Sequence, residues 1–442
     1  MGLQERFVSY LRNQALCRPG DRILLAVSGG KDSVLMARLF AESGFFMGIA
    51  HCNFGLRGNE SDADEAFVAD LAKSLDVPFY STFFDTSAYA RKHGVSIQMA
   101  ARTLRYDWFE TIRAGQGYDY IAVAHHQNDH VETLILNLVR GTGLSGLRGI
   151  QPRRGRIIRP LLFLRGEEIA AYVHKHRIAY RDDASNFSTK YARNKIRLEV
   201  IPRLKELNPE LERTMVENIN HFTDSYTVLQ GYIDELRSRL FTKSGHEEWH
   251  IPIAALERLE PRGYLLFELL RPYGFTEAVT ADMARTLSGT PGREFVSPTH
   301  RLYIDRDSAV LKRMETAERQ VAFIVAPGDT VQWEEYRLVS GLTTETAVRP
   351  DANNAQFDAD KIVFPICIRA WQDGDTFHPL GMKGRKKLSD FLISLKVPAY
   401  RKHTVPIVVN GNGDILWVVP YRLDDRYKIT GETKKVFTLA CF

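Results

Sequence analysis

Cysteine is scarce in this sequence. There are four among 442 residues, Cys17, Cys52, Cys367 and Cys441, and no two form a CxxC pair. Such scatter excludes a disulfide framework, argues against a zinc site or an iron–sulfur cluster, and fits a reducing cytoplasm. Long apolar runs are absent as well. Runs such as Ile23–Val27 and Ile415–Val419 fall far short of the roughly 20 apolar residues that a membrane helix needs. The segment Met1–Arg22 is broken by Glu5, Arg6 and Arg12, so it reads as neither a signal peptide nor an anchor. Arg6 also stands where an N-myristoylation signal needs Ser or Thr. No membrane partner is expected. The usual phosphate-loop pattern, G-x-x-x-x-G-K-S/T, is missing too.

What is present is the composition of a globular protein, 44% apolar and 26% charged, in a chain long enough for about three domains. The net charge of +5 permits a nucleic-acid partner without demanding one. Its distribution says more. Arg140 to Gly166 holds seven arginines and no acid, and Arg369 to His403 holds eight Lys or Arg against three Asp. Both are candidate phosphate footprints.

From residue 1 to about 205, strand and helix patterns alternate. Ile23–Val27, Phe46–Cys52, Phe79–Phe84 and Tyr120–His125 read as strands, with helices near 33–43, 61–75, 96–114 and 128–140. Repeated β-α units predict a parallel sheet covered on both faces, with its ligand at the carboxyl ends of the strands. The informative turns all follow strands. Ser28-Gly29-Gly30-Lys31-Asp32-Ser33 lies between an apolar strand and a helix, where exposed N–H groups and the positive helix end hold a phosphate. Its serines add donors, and Asp32 suits Mg²⁺ between phosphate oxygens. His51 to Arg57 lies at the end of the second strand and Ala124-His125-His126 at the end of the fourth. Past residue 206 the spacing predicts a mainly helical region to about 320, with helices over Leu211–Leu240 and Leu256–Leu270. A linker and a small α+β domain, 321–442, follow, with a helix around Ser389–Leu395.

Several runs carry candidate chemistry. Asp129, Glu132 and Thr133 share one face near a helix start. His126 and His130 have zinc-ligand spacing, but Gln127 stands where a metalloprotease needs Glu. Gln98, Arg102 and Arg105 line one helical face, and Arg193 and Arg197 are spaced to reach one phosphate. Gly141 to Gly146 matches G-x-G-x-x-G but follows a helix rather than a strand, so a nicotinamide cofactor is not expected.

Taken in order, SGGKDS, HCNFGLR, QMAARTLRY, AHHQNDHVET, RGTGLSGLRGI, DDASN and RNKIR resemble the tRNA(Ile)-lysidine synthetase family, whose SGGxDS loop is the PP-loop of ATP pyrophosphatases. The run from Asp373 to Leu392, with Lys396-Val397-Pro398 and Arg401, is similar to that family's terminal domain. The resemblance implies a Rossmann-like PP-loop domain over 1–205, a helical tRNA-binding domain over 206–320 and an α+β tRNA-binding domain over 321–442. It implies a cytoplasmic ligase that uses ATP and Mg²⁺ to adenylate C2 of the wobble cytidine of the isoleucine tRNA with a CAU anticodon. The ε-amine of free L-lysine then displaces AMP, and a homodimer is compatible with this reading.

Carried onto this chain, Ser28, Gly29, Gly30, Lys31, Asp32, Ser33 and His51 would bind ATP, with Asp32 at the metal. Asp32, Asp129, Glu132, Arg102 and Arg105 would be catalytic. Asn53, Arg57, His126, Arg193, Arg197, Lys383, Arg385, Lys386, Lys387 and Arg401 would meet substrate or tRNA. The family often has two aspartates where this chain has Asn128-Asp129, which leaves Asp129 as the better candidate. The alternative is a tRNA thiolation enzyme on the same fold, a chemistry that generally needs paired cysteines.

Overall fold

In the computed structural model the described residues are 2–442 except 57, 182–191, 246, 288–291, 315–320, 350 and 403. They form two compact units, Met1–Leu229 and Gln230–Phe442. In the first, α1 (Leu3–Asn13) precedes β1 (Arg22–Ala26), α2 (Lys31–Glu42), β2 (Phe46–Asn53), α3 (Asn59–Ser74) and β3 (Phe79–Phe83). Next come α4 (Thr86–His93), α5 (Ile97–Gly115), β4 (Tyr120–Val123), α6 (Gln127–Arg140) and α7 (Leu144–Leu147). The short strands β5 (Arg153–Arg154) and β6 (Ile157–Ile158) lead to α8 (Gly166–Lys175) and α9 (Ala192–Lys195). A π-helical turn, Ile196–Val200, joins α9 to α10 (Ile201–Leu207), and α11 (Leu211–Leu240) carries the chain into the second unit.

The sheet has the order β3-β2-β1-β4-β6-β5, parallel except for the edge strand β5. Leu25 of β1 aligns with Ile49 on one side and Ala122 on the other. The two-residue period of a strand sends neighbours to opposite faces. Ile23 and Leu25 join a core with Phe7, Leu35, Phe40, Val68 and Ile169, so α1, α2, α3 and α8 cover that face. Leu24 joins Ala50, Phe109, Tyr118 and Ile121 under α5. Gly48 is required by this packing, because a Cβ there would lie 2.0 Å from the Tyr118 hydroxyl. From β1 the chain winds outward to β3 and returns to β4 on the other side. The carboxyl ends of β1 and β4 therefore flank the switch point where such sheets bind ligands.

The second unit is antiparallel. A five-stranded sheet, whose inner strands are Glu248–Pro252, Ser308–Arg313 and His300–Ile304, accompanies the helices Ile253–Glu257, Arg262–Leu270 and Glu277–Thr286. The region therefore holds helices together with a sheet built of strands too short to announce themselves by alternation. The helix expected over Leu256–Leu270 is two helices, because Pro261 lacks the N–H that a continuous helix would use. Two further sheets, of five and four strands, follow. They share a core around Trp333, Phe357, Trp417 and Phe437. The helix Leu388–Ser394 packs Phe391 on Phe377.

Candidate active site

The loop after β1 is shaped by its own atoms. Gly29 holds φ +94°, a left-handed conformation that a side chain would strain. Ser33 Oγ donates to the Gly30 carbonyl at 2.9 Å and accepts the Ser28 N–H at 3.2 Å. Gly30 caps α2 with no side-chain acceptor, so the first-turn N–H groups of that helix remain for an anion. Arg181 crosses the loop: its N–H donates to the Gly29 carbonyl at 3.0 Å, and its guanidinium donates to Asp64.

The loop opens into a cavity of about 1000 Å³ at the switch point. Ser28, Gly30, Lys31, Asp32, Ser33, Arg102, Arg105, His126, Asp129, Glu132, Arg193 and Arg197 all line it, so segments far apart in sequence converge as the β-α reading expects. Asp32 Oδ1 is buried with no hydrogen-bond partner, and Oδ2 lies 3.8 Å from His126 Nε2. Burial raises the Asp32 pKa, against the lowering pull of His126.

α6 begins with Asp129 Oδ2 accepting the His126 N–H at 3.0 Å, so this acid also caps its helix. Its Oδ1 receives Arg193 Nη2 at 3.0 Å and lies 3.5 Å from Arg197 Nη2. Burial pushes this carboxyl up, but His126 and Arg193 outweigh it and hold the pKa below its ordinary value. Glu132 is fully buried. Arg193 Nε donates to its Oε2 at 2.7 Å and Arg197 Nε to its Oε1 at 2.5 Å. Arg197 sits on the π-helical turn, a local widening common at functional sites. Glu132 thus holds two guanidiniums rather than facing the cavity alone.

Arg102 and Arg105 differ. Their guanidiniums lie 5.0 Å from the ring centres of Tyr106 and Phe54, and among the described residues no carboxylate pairs with either. His125 lines the cavity with Nδ1 unpartnered, and desolvation drops its pKa to about 4, so the ring is neutral. His130 Nδ1 accepts the Ile150 N–H at 2.9 Å, which spends the nitrogen that zinc spacing had offered. Among the described residues, no group of three His, Cys, Asp or Glu could hold a metal. Cys52 also lines the cavity, but burial pushes its thiol up to about 12. That makes it a poor sulfur nucleophile.

Other expected residues lie elsewhere. His51 is buried with Nδ1 2.9 Å from the Val27 carbonyl, where it steadies the end of β1. Asn53 donates to Asp62 and Glu65 and accepts the Gly55 N–H, so its amide is spent inside the turn. Neither lines the cavity. Arg57 and the DDASN run at 182–186 lie outside the described residues. Lys383, Arg385, Lys386, Lys387 and Arg401 belong to the second unit. There Lys386–Lys387 pairs with Thr376–Phe377, and Arg385 Nε donates to Thr376 Oγ1 at 2.6 Å. Sequence reasoning missed Asp64, Arg181, Lys205 and Glu212, which also line the cavity. Nothing in their spacing separates them from ordinary surface charges.

A doubly covered parallel sheet with a glycine-rich phosphate loop and a cluster of carboxylates and arginines at its switch point defines a PP-loop enzyme that uses ATP. The PP-loop domain model matches residues 3–204, the TilS substrate binding domain 244–314 and the TilS substrate C-terminal domain 366–439. A tRNA(Ile)-lysidine synthase of Bacteroides thetaiotaomicron is 39% identical over 98% of both chains. One of Parabacteroides distasonis is 39% identical over 97% of both, and one of Porphyromonas gingivalis is 36% identical over 97% of this chain and 96% of that one. The chain belongs to the tRNA(Ile)-lysidine synthase family. A U34-tRNA thiolase of Methanococcus maripaludis aligns more loosely, at 16% identity and TM-score 0.41 over 50% of this chain and 80% of that one.

Proposed function

We propose that the protein joins free L-lysine to the wobble cytidine of an isoleucine tRNA with a CAU anticodon, in the cytoplasm, with cleavage of ATP to AMP and pyrophosphate. The observation that carries this reading is the single cavity holding the SGGKDS loop, the unpartnered Asp32 oxygen and the Asp129 cluster. The α2 N–H groups, Lys31 and the two serines hold the phosphates. A lone buried carboxylate beside a phosphate site suits Mg²⁺, which is commonly bound by one or two carboxylates plus phosphates. Asp32 would hold it, and the ion supplies charge neutralisation to the phosphate oxygens.

The C2 carbonyl oxygen of the cytidine attacks the α-phosphorus and pyrophosphate leaves. Arg102 and Arg105, not spent on carboxylates, meet the charge that develops on the leaving groups. Free lysine carries an ε-ammonium with pKa ~10.4. Asp129, kept ionised by its cationic neighbours, attracts it and takes its proton. The amine then bonds to C2, and AMP departs with the former carbonyl oxygen. Glu132 orders Arg193 and Arg197. We assign the chain three working parts, 1–205, 206–320 and 321–442, and the matched regions within them support the division. The Lys383–Lys387 hairpin and Arg401 contact tRNA phosphates, and the protein acts as a homodimer, checked by light scattering.

Incorporation of labelled lysine into unmodified isoleucine tRNA tests the reading. ATP-dependent labelling, lost when the wobble C is replaced by U and lost in Asp32→Asn, is the expected result. AMP release without labelling would point to another nucleophile.

A further inference from the structure

His125 lines the cavity just past β4, in the field of Asp129 and of three guanidiniums, those of Arg102, Arg159 and Arg193. Its two ring nitrogens are not equivalent. Nδ1 is shut away from solvent with no hydrogen-bond partner. Nε2 is not shut away, so it is the nitrogen that the cavity meets. Burial holds the ring neutral, with a pKa of about 4, so only one of the two nitrogens carries a proton. A buried N–H without an acceptor is rarer in folded proteins than a buried acceptor without a donor. That packing assigns the lone pair to Nδ1 and the proton to Nε2. The cavity thus holds one neutral N–H donor in a fixed place. Its neighbours are less selective. A guanidinium carries donors on every edge and satisfies a uracil oxygen as readily as a cytosine nitrogen. The carboxylates of Asp129 and Glu132 are spent on Arg193 and Arg197, and Asn128 Oδ1 is spent on the Gly166 N–H at 2.8 Å.

We propose that His125 distinguishes cytidine from uridine at the target position, its Nε2–H donating to N3 of the base. This rests on the reading above that a wobble cytidine is the substrate. Cytosine N3 is an acceptor, whereas uracil N3 carries a hydrogen. Uracil would therefore set two donors against each other. The imidazole escapes that clash only by moving its proton to Nδ1, which would bury an N–H with no acceptor. The orphaned nitrogen fixes the reader from behind. The same bond serves the chemistry. Addition of the amine to C2 shifts electron density onto N3, where a donor already in place stabilises it.

The test is equilibrium binding of three isoleucine tRNAs to the full-length protein, with a non-cleavable ATP analogue present. One tRNA carries the wobble cytidine, one uridine, and one 3-deazacytidine, which lacks the N3 acceptor. The wild type should bind the second and third about tenfold or more weakly than the first, the scale of one polar group left unpaired. His125→Phe keeps a flat ring without the N–H, and both ratios should fall toward one. His125→Gln should separate them, because its amide can turn either its N–H or its oxygen to the base. The uridine ratio then falls while the 3-deazacytidine ratio stays, a split that a merely structural role would not produce. Each ratio is taken on one preparation and does not depend on the fraction folded, so a destabilised variant still reports. A wild type that labels the cytidine tRNA with lysine yet binds all three alike, or ratios unchanged in His125→Phe, would overturn the proposal. A wild type that labels no cytidine tRNA would sink the substrate reading itself, and this proposal with it.

Discussion

Five arginines line the cavity; Arg181 is held by Asp64, and the other four divide into two states. Arg193 and Arg197 are bonded to Glu132 and Asp129, so their charge is already matched. Arg102 and Arg105 lie on aromatic faces with no carboxylate partner among the described residues. The first pair is positioned by acids and adds little net field. The second keeps an unmatched positive charge at low conformational freedom, which is what developing negative charge needs. Arginines that look alike in the sequence thus divide into one pair that builds the site and one available to act in it.

Removing the buried acid should break that comparison most strongly. Glu132→Gln leaves two guanidiniums short of an acceptor, and loss of one partner of a buried pair costs about 3–5 kcal/mol. Both arginines are 36% exposed, so we expect the lower end, read as a fall in the urea midpoint. Arg102→Met and Arg105→Met should do the reverse. Each lowers the rate of AMP release by about 10²-fold or more, while stability stays within about 0.5 kcal/mol of wild type. A large loss of stability in either would place them with Arg193 and Arg197.

Two smaller effects sharpen the contrast. Alanine at Lys383, Arg385, Lys386 and Lys387 should weaken tRNA binding and flatten its salt dependence by about 0.7 in log–log slope per lost single-strand contact. An unchanged slope would make the hairpin a solvated surface. Asp129 supplies the least. Its folded pKa lies below the ordinary carboxylate value, so its contribution to stability is complete above the unfolded value of about 3.9 and is lost as pH falls through the lower folded value. The stability gap between wild type and Asp129→Asn should therefore be constant near neutrality and narrow only under strong acid. A gap that narrowed at neutral pH would contradict the cationic setting of Asp129.

Much of the first unit was legible from local pattern. The runs Ile23–Val27 and Tyr120–His125 announced β1 and β4 with their ligand-bearing turns, because alternation and glycine-rich turns act over a few residues. The antiparallel sheet between Thr242 and Arg313 was not legible. Its strands are short, and their pairing depends on partners such as Ile251 and Ala309 that are distant in sequence. His51 and Asn53 looked like ligands for the opposite reason. They stand at the end of an informative strand, but their polar atoms are consumed by Val27, Asp62, Glu65 and Gly55, and hydrogen-bond satisfaction is a property of the packed neighbourhood.

By itself, then, the sequence determined the phosphate loop, the β-α alternation and the ends of the strands where chemistry would gather. All of these follow from periodicity and turn stereochemistry within short windows. The tertiary structure alone decided how charge is distributed in the cavity. Glu132 meets Arg193 across 61 positions and Asn128 approaches Glu212 across 84. Coulomb energy and desolvation depend on distance and burial in space, which spacing along the chain does not encode.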